Sequence, residues 1–343
     1  MEEKLRVYIG TFSDRFFSAL IDPESLDVEE LRPIRDPAGR SASLALSENR
    51  RFLYAANEYM NGDGGMAAFR LTEDGGAVFL NAIPSHTQGP AENAVMTAYG
   101  REYVIGSGFF DGDIMVCPIA ENGSLLPMSD NFVLREGAHA HGVKVCPGTN
   151  FVILPDTLHG EIYTYEMSPE GKLIKRFAFR KEGVEAPRHM EFSLDGRQLY
   201  VLTERTSTLE VFRIDRETGE LTHTLQISNL PGDFKGESSS AAIHRSPDGR
   251  FVYLSNRGYD SITVYRVADD GVVTKVGYQP ASISCPREFM ISPDGSLMLV
   301  GNQTDESVSI FRMNRETGMP EFAKKFPIPE GPVSFVSIPQ AGK

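Results

Sequence analysis

Short apolar runs broken by polar turns recur along this chain in a fixed order. Ser193-Leu-Asp-Gly196 returns as Ser246-Pro-Asp-Gly249 and again as Ser292-Pro-Asp-Gly295. After each comes an apolar run: Gln198-Leu-Tyr-Val-Leu202, Phe251-Val-Tyr-Leu254 and Leu297-Met-Leu-Val300. A polar tip follows, then a third run: Thr208-Leu-Glu-Val-Phe212, Ile262-Thr-Val-Tyr265 and Val308-Ser-Ile-Phe311. Phe212-Arg-Ile-Asp-Arg-Glu-Thr-Gly219 comes back as Phe311-Arg-Met-Asn-Arg-Glu-Thr-Gly318, two repeats later. Weaker copies begin near Ser43, Asn93 and His141. The runs are rich in β-branched and aromatic residues and are split by Asp-Gly, Asn-Gly and Pro-Glu-Gly turns, which predicts consecutive hairpins, four strands to a copy. No helical period competes with this reading.

Six copies cover residues 41 to about 326. The remainders are complementary. Arg6-Val-Tyr-Ile-Gly-Thr11 opens a piece that reads as second to fourth strands without a first, and Val333-Ser-Phe-Val-Ser-Ile338 supplies one strand. Joined, they make a seventh unit and close a ring, which removes the exposed sheet edges an open array would leave. The expectation is an all-β, seven-bladed β-propeller with four-stranded antiparallel blades, one domain over residues 1–343. A two-sandwich all-β protein is the structural alternative. There is no Trp, so the repeat is not of the Trp-Asp type, and the paired-glycine kelch signature is absent.

Charge narrows the function classes. Asp and Glu outnumber Lys and Arg by 47 to 34, a net charge of −13. Nucleic acid and anionic membrane both require a cationic surface, so neither is an expected partner. Met1-Glu-Glu-Lys-Leu-Arg6 carries no apolar leader, and no apolar run is long enough for a membrane span. Cys117, Cys146 and Cys285 are odd in number and widely spaced, which fits a reducing cytoplasm better than a disulfide framework or a zinc site. The sequence leaves the oligomeric state open between monomer and dimer.

In a hairpin, the start of the first strand and the end of the second lie together, so two positions per blade should gather at one mouth of the channel. Seven residues before the turn glycine stand Asn93, His141, His189, Ala242 and Glu288; eight after it stand Gly108, Asp156, Glu204, Arg257 and Gln303. The first copy adds Ser43 and Glu58, and the neighbouring positions add Arg188, Arg287 and His139. Several arginines exceed what packing needs, and unpaired buried charge is costly, so this mouth suits a small anion. His86, His159, His223 and His244 fall outside both series and are expected at the surface or in packing.

Tyr8-Ile-Gly-Thr11, Ala138-His-Ala-His141, Ala186-Pro-Arg-His189, Tyr200-Val-Leu-Thr-Glu204, Tyr253-Leu-Ser-Asn-Arg-Gly258, Cys285-Pro-Arg287 and Gly301-Asn-Gln303 resemble the lactonase/cycloisomerase propeller family. That family includes propeller-type 6-phosphogluconolactonases and carboxymuconate lactonising enzymes. The resemblance spans essentially the whole chain and implies lactone chemistry at the mouth, with His141, Arg188, Glu204 and Arg257 as the working residues. Glu58, His139, Asp156, His189, Asn256, Arg287 and Gln303 are expected to bind substrate. Two departures, Gly106-Ser-Gly108 in place of Ala-Asn-Tyr and Asp156-Thr-Leu-His159 in place of Asp-Leu-Gly, fall on the mouth and bear on substrate choice.

Opening a lactone needs a base for water and a partner for the oxyanion. Imidazole is suited to base work near neutrality, which favours His141, with Glu204 orienting it or serving as base itself. Arg188 and Arg257 have the fork to hold a carboxylate, a phosphate or the oxyanion. No GxSxG elbow is present, no cysteine falls in either series, and neither metal nor other cofactor is expected. The leading expectation is hydrolysis of an anionic sugar lactone resembling 6-phosphogluconolactone. The alternatives are a muconate-type lactonising cycloisomerase and a non-catalytic propeller that binds a ligand or a protein.

Overall fold

The computed structural model describes residues 4–59, 63–280 and 282–340. Among these the regular structure is entirely strand, arranged as seven four-stranded antiparallel sheets in a ring. Six blades follow in chain order at 41–84, 92–133, 144–180, 187–228, 239–279 and 286–327. The seventh is shared by the two ends of the chain: strand Pro332–Gln340 is its innermost strand and pairs antiparallel with Lys4–Thr11, followed by Arg15–Ile21 and Val28–Arg35. Tyr8 stands opposite Val336 and Ile9 opposite Phe335.

The apolar positions bury between blades rather than within them. Seven hydrophobic clusters are present among the described residues, each shared by two neighbouring blades. One of them packs Val7, Ile9 and Phe335 of the shared blade against Leu297, Leu299 and Ile310 of its neighbour. The ring therefore has no open interface, and the terminal strands hold it closed through both their ladder and their side chains.

The Ser-x-Asp-Gly repeat is a turn with its own chemistry. Ser193, Ser246 and Ser292 each donate to the Asp two residues on at 2.6 Å. The same hydroxyls accept backbone N–H bonds from Gln198, Phe251 and Leu297, which starts the second strand. The glycine takes a left-handed conformation, with φ of 65°, 72° and 75°, where a Cβ would be strained.

At the opposite end, the innermost strands of five blades carry a bulge, at 41–43, 187–190, 240–243, 286–288 and 332–334. The copy beginning near His141 departs most from the expected pattern. Its first strand is only Lys144–Val145, with a lone bridge from Ala140 to Asp156. A Cβ on Gly142 would stand 2.3 Å from the Arg188 carbonyl oxygen, so the chain passes its neighbour closely here instead of running in a ladder.

Candidate active site

The bulges decide which side chains reach the axis. One extra residue opposes the partner strand, so two successive side chains turn the same way rather than alternating. That is how Arg188 and His189 both meet residues of other blades around the axis, as do Arg287 and Glu288. Glu204 and Arg257 come from the ends of second strands. The Glu204 backbone is pinned on both sides: its N–H donates to Ala186 O at 2.8 Å, and its carbonyl accepts from Ser240 N at 3.1 Å.

Four predicted residues form one array. Arg257 Nη2 donates to Glu204 Oε1 and, at 2.6 Å, to Ser239 Oγ, while its Nε donates to Ser239 O at 3.2 Å. Arg188 Nε lies 3.8 Å from the other Glu204 oxygen. Arg188 Nη1 donates to the Ala241 carbonyl, and its Nη2 contacts His141 Nε2 at 3.0 Å. A guanidinium can only donate, so His141 Nε2 is the acceptor and the ring proton sits on Nδ1. That Nδ1 is buried without a hydrogen-bond partner. Arg188 is 1% exposed and floors the mouth, whereas the Glu204 side chain is a quarter exposed.

The charges follow from these neighbours. Burial works to raise the Glu204 pKa, but Arg188, Arg257 and Arg287 overcome it and hold the carboxyl below its ordinary value. Burial and the adjacent Arg188 and Arg287 charges push the His141 pKa well down, so its imidazole is neutral at pH 7. Burial also lowers Arg188, to about 9, and the guanidinium remains a cation at neutrality. The expectation that Glu204 orients the His141 ring is corrected: Arg188 stands between them and bonds to the imidazole itself.

Arg287 lies over the Phe12 ring at 4.9 Å and faces Glu58, whose pKa burial raises against the opposing Arg287, Arg188 and Arg40 charges. The His139 ring packs at a tilt against Phe109, 4.7 Å between centroids, beside the mouth. Gln303 is half-buried next to Cys285, with 3.9 Å between its Oε1 and the thiol sulfur. Two residues expected to bind substrate are instead sealed in the scaffold. Asn256 is fully buried and bonded to Ser240, Ser261 and Thr263. Asp156 is fully buried as the acceptor for the His139, Leu158 and His159 N–H groups and the His159 ring. Their positions mark strand ends, where an Asn or Asp ties down the turn as readily as it faces a ligand.

Below the Arg188 floor lies a second polar cluster. His189 Nδ1 is 3.6 Å from Glu288 and its Nε2 3.9 Å from Glu92. Glu288 also bonds to His244 at 2.7 Å, which places His244 on the axial network rather than at the surface or in packing. Glu92, His189 and Glu288, together with His141, Arg188 and Arg287, line a cavity of about 20 Å³, the size of roughly one water. Burial raises the Glu92 carboxyl to about 7. Glu92 was missed by the sequence reading, although it precedes Asn93 as Arg188 precedes His189. No group of three or more His, Cys, Asp or Glu among the described residues is arranged to hold a metal ion.

Above the floor the mouth opens into two hollows. One of about 310 Å³ is lined by Phe109, His139, Thr157, Ala186 and Glu204, among others. The other, about 750 Å³, is bounded by Ser207, Leu230, Glu237, Arg257 and Cys285. Arg205, Ser238 and Ser239 border both. A groove thus runs past an ionised carboxylate set between arginines, an arrangement able to hold an anion and take a proton from water.

The seven-bladed β-propeller lactonase family matches residues 6–336. A Bacillus subtilis protein named 6-phosphogluconolactonase is 28% identical, over 91% of this chain and 92% of its own. A Yersinia pestis protein of the same name is 24% identical over 88% of this chain and 89% of its own. Among solved structures, a Lactobacillus plantarum protein is 26% identical with a TM-score of 0.86, covering 98% of this chain and all of its own. A periplasmic gluconolactonase of Pseudomonas aeruginosa, 22% identical, shares the fold at a TM-score of 0.87 over 98% of this chain and 99% of its own. No helix among the described residues is long and apolar enough to cross a membrane. With a match running nearly from end to end and a ring of seven blades closed by its termini, this chain is an enzyme of the seven-bladed β-propeller lactonase family.

Proposed function

We propose that this enzyme hydrolyses an anionic sugar lactone, of the 6-phosphogluconolactone kind, at the axial mouth. The observation that carries the reading is Glu204, an ionised carboxylate on the wall of an open groove with one forked cation on each side. The name of the Bacillus subtilis relative points to the same substrate class. Glu204 is the base. It takes a proton from a water whose oxygen attacks the lactone carbonyl carbon, while Arg257 faces the oxygen that becomes negative and Arg188 adds its charge from the floor beneath. As the tetrahedral intermediate collapses, the ring C–O bond breaks and Glu204 returns the proton to the departing alkoxide. Once the substrate's own anions engage the arginines, their hold on Glu204 loosens and its basicity rises. His141, with its Nε2 occupied by Arg188, acts as the positioning residue for that guanidinium.

The test is a panel of sugar lactones followed by proton release, with the spontaneous rate subtracted and the reaction run in heavy-oxygen water. Hydrolysis places one solvent oxygen in the product carboxylate. A product of unchanged mass would replace this reading with cycloisomerisation, and turnover of no lactone would overturn it. The cytoplasm is the compartment we propose, since all three cysteines stand as free thiols.

A further inference from the structure

Arg205 follows Glu204 directly, in the turn between strands Gln198–Thr203 and Thr208–Ile214. The two backbone bonds of Glu204 fix the root of that turn. The Arg205 side chain is exposed and has no hydrogen bond or ion pair among the described residues, unlike Arg188 and Arg257, each of which bonds to its neighbours. It stands on the border between the two hollows, with Ser238 and Ser239. In the larger hollow Arg205 and Arg257 outnumber the one carboxylate of the lining, Glu237, on a chain whose net charge is −13.

We propose that the larger hollow is a second anion subsite, in which Arg205 binds a phosphate monoester at the end of the substrate remote from the reacting ester. Arg257 lends its charge from the wall shared with the reacting end. This rests on the lactonase reading and adds to it the residue that selects phosphorylated over plain sugar lactones. An open guanidinium fork is suited to phosphate, because it can offer two parallel N–H bonds without first breaking others.

The experiment compares Arg205→Ala with wild type on a phosphorylated sugar lactone and on its unphosphorylated counterpart. Loss of a hydrogen-bonded charge pair predicts an increase of about 10- to 100-fold in KM for the phosphorylated lactone, with kcat near wild type. Kinetics on the unphosphorylated lactone should not change. An equal KM increase on both lactones, or none on either, overturns the subsite and leaves the lactonase reading intact. If wild type opens neither lactone, that reading falls and inorganic phosphate decides the subsite alone. In that case phosphate should raise the wild-type melting temperature above a chloride control of matched ionic strength, and much less so in Arg205→Ala. Equal shifts in the two proteins would overturn the subsite.

Discussion

Glu204 at the mouth and Glu92 beneath the Arg188 floor are both glutamates inside the ring, each with its side chain a quarter exposed. Their protons are nevertheless held on opposite sides of the ordinary carboxylate value. Glu204 has a guanidinium on each side, and their charge overcomes the cost of burial. For Glu92 burial is the leading effect; Lys144, the Val143 N–H and Arg188 offset it only in part, Glu288 adds to it, and the pKa rises to about 7. Similar exposure therefore gives a permanent anion in one place and a neutral acid near pH 6 in the other. What separates the two is the deeper packing around the Glu92 carboxyl together with the number of cations close by, both of which depend on the blades on either side.

Removing the charge at the mouth should have the largest effect. Glu204→Gln keeps the shape but cannot take a proton, and a loss of about 10²–10⁴ in kcat is expected, with a lower melting temperature because Arg188 and Arg257 lose their counter-charge. Turnover near wild type would move the base elsewhere. Arg257→Ala removes an oxyanion partner and should cost about 10²–10³ in kcat. If it raises only KM, Arg257 binds substrate without aiding the chemical step.

His141 sharpens the comparison because it touches both regions. His141→Ala deletes an acceptor for Arg188 and should cost about 10- to 100-fold in kcat, less than Glu204→Gln. His141→Gln, which offers a carbonyl oxygen to the same guanidinium, should recover most of it. A loss as deep as that of Glu204→Gln, without rescue, would make His141 the base.

Below the floor the expected effect is on stability, with turnover near wild type in Glu92→Gln. The folded-state pKa of Glu92 is raised above the unfolded value, so between about 4.5 and about 7 the folded protein binds the extra proton. Stability from this group is complete at low pH and falls as pH rises through that window. Glu92→Gln removes the dependence, so its melting temperature should gain on wild type by a few degrees between pH 5 and pH 8. A constant difference across that range would show that the carboxyl is not raised.

The ring itself was legible because its cause is local and repeated. Each Ser-x-Asp-Gly turn carries its own hydrogen bonds, and each strand shows its period without reference to the rest of the chain. The closing strand could be read from what the repeats left over. The positions of Glu204 and Arg257 followed from hairpin geometry, since the ends of second strands must meet at one mouth. Asn256 and Asp156 occupy equally plausible positions yet turn into the scaffold, because a side chain's direction at a strand end depends on which N–H and hydroxyl groups lie within reach. Glu92 escaped notice because its strand pairs without a bulge, so the axial side chain stands one place before the position that the repeat arithmetic marked.

Sequence alone thus determined the strands, the repeat, the closure and the residue types collected at the axis, because short-range propensity and hairpin length fix these. The tertiary structure decided the pairing: that Arg188 bonds to His141 and separates it from Glu204, that His244 joins the axial network, and that Arg205 is left open above it. These contacts join residues of different blades. They depend on how far each blade is turned against its neighbour and where a bulge adds a residue, and such ångström-scale placements leave no period in the chain.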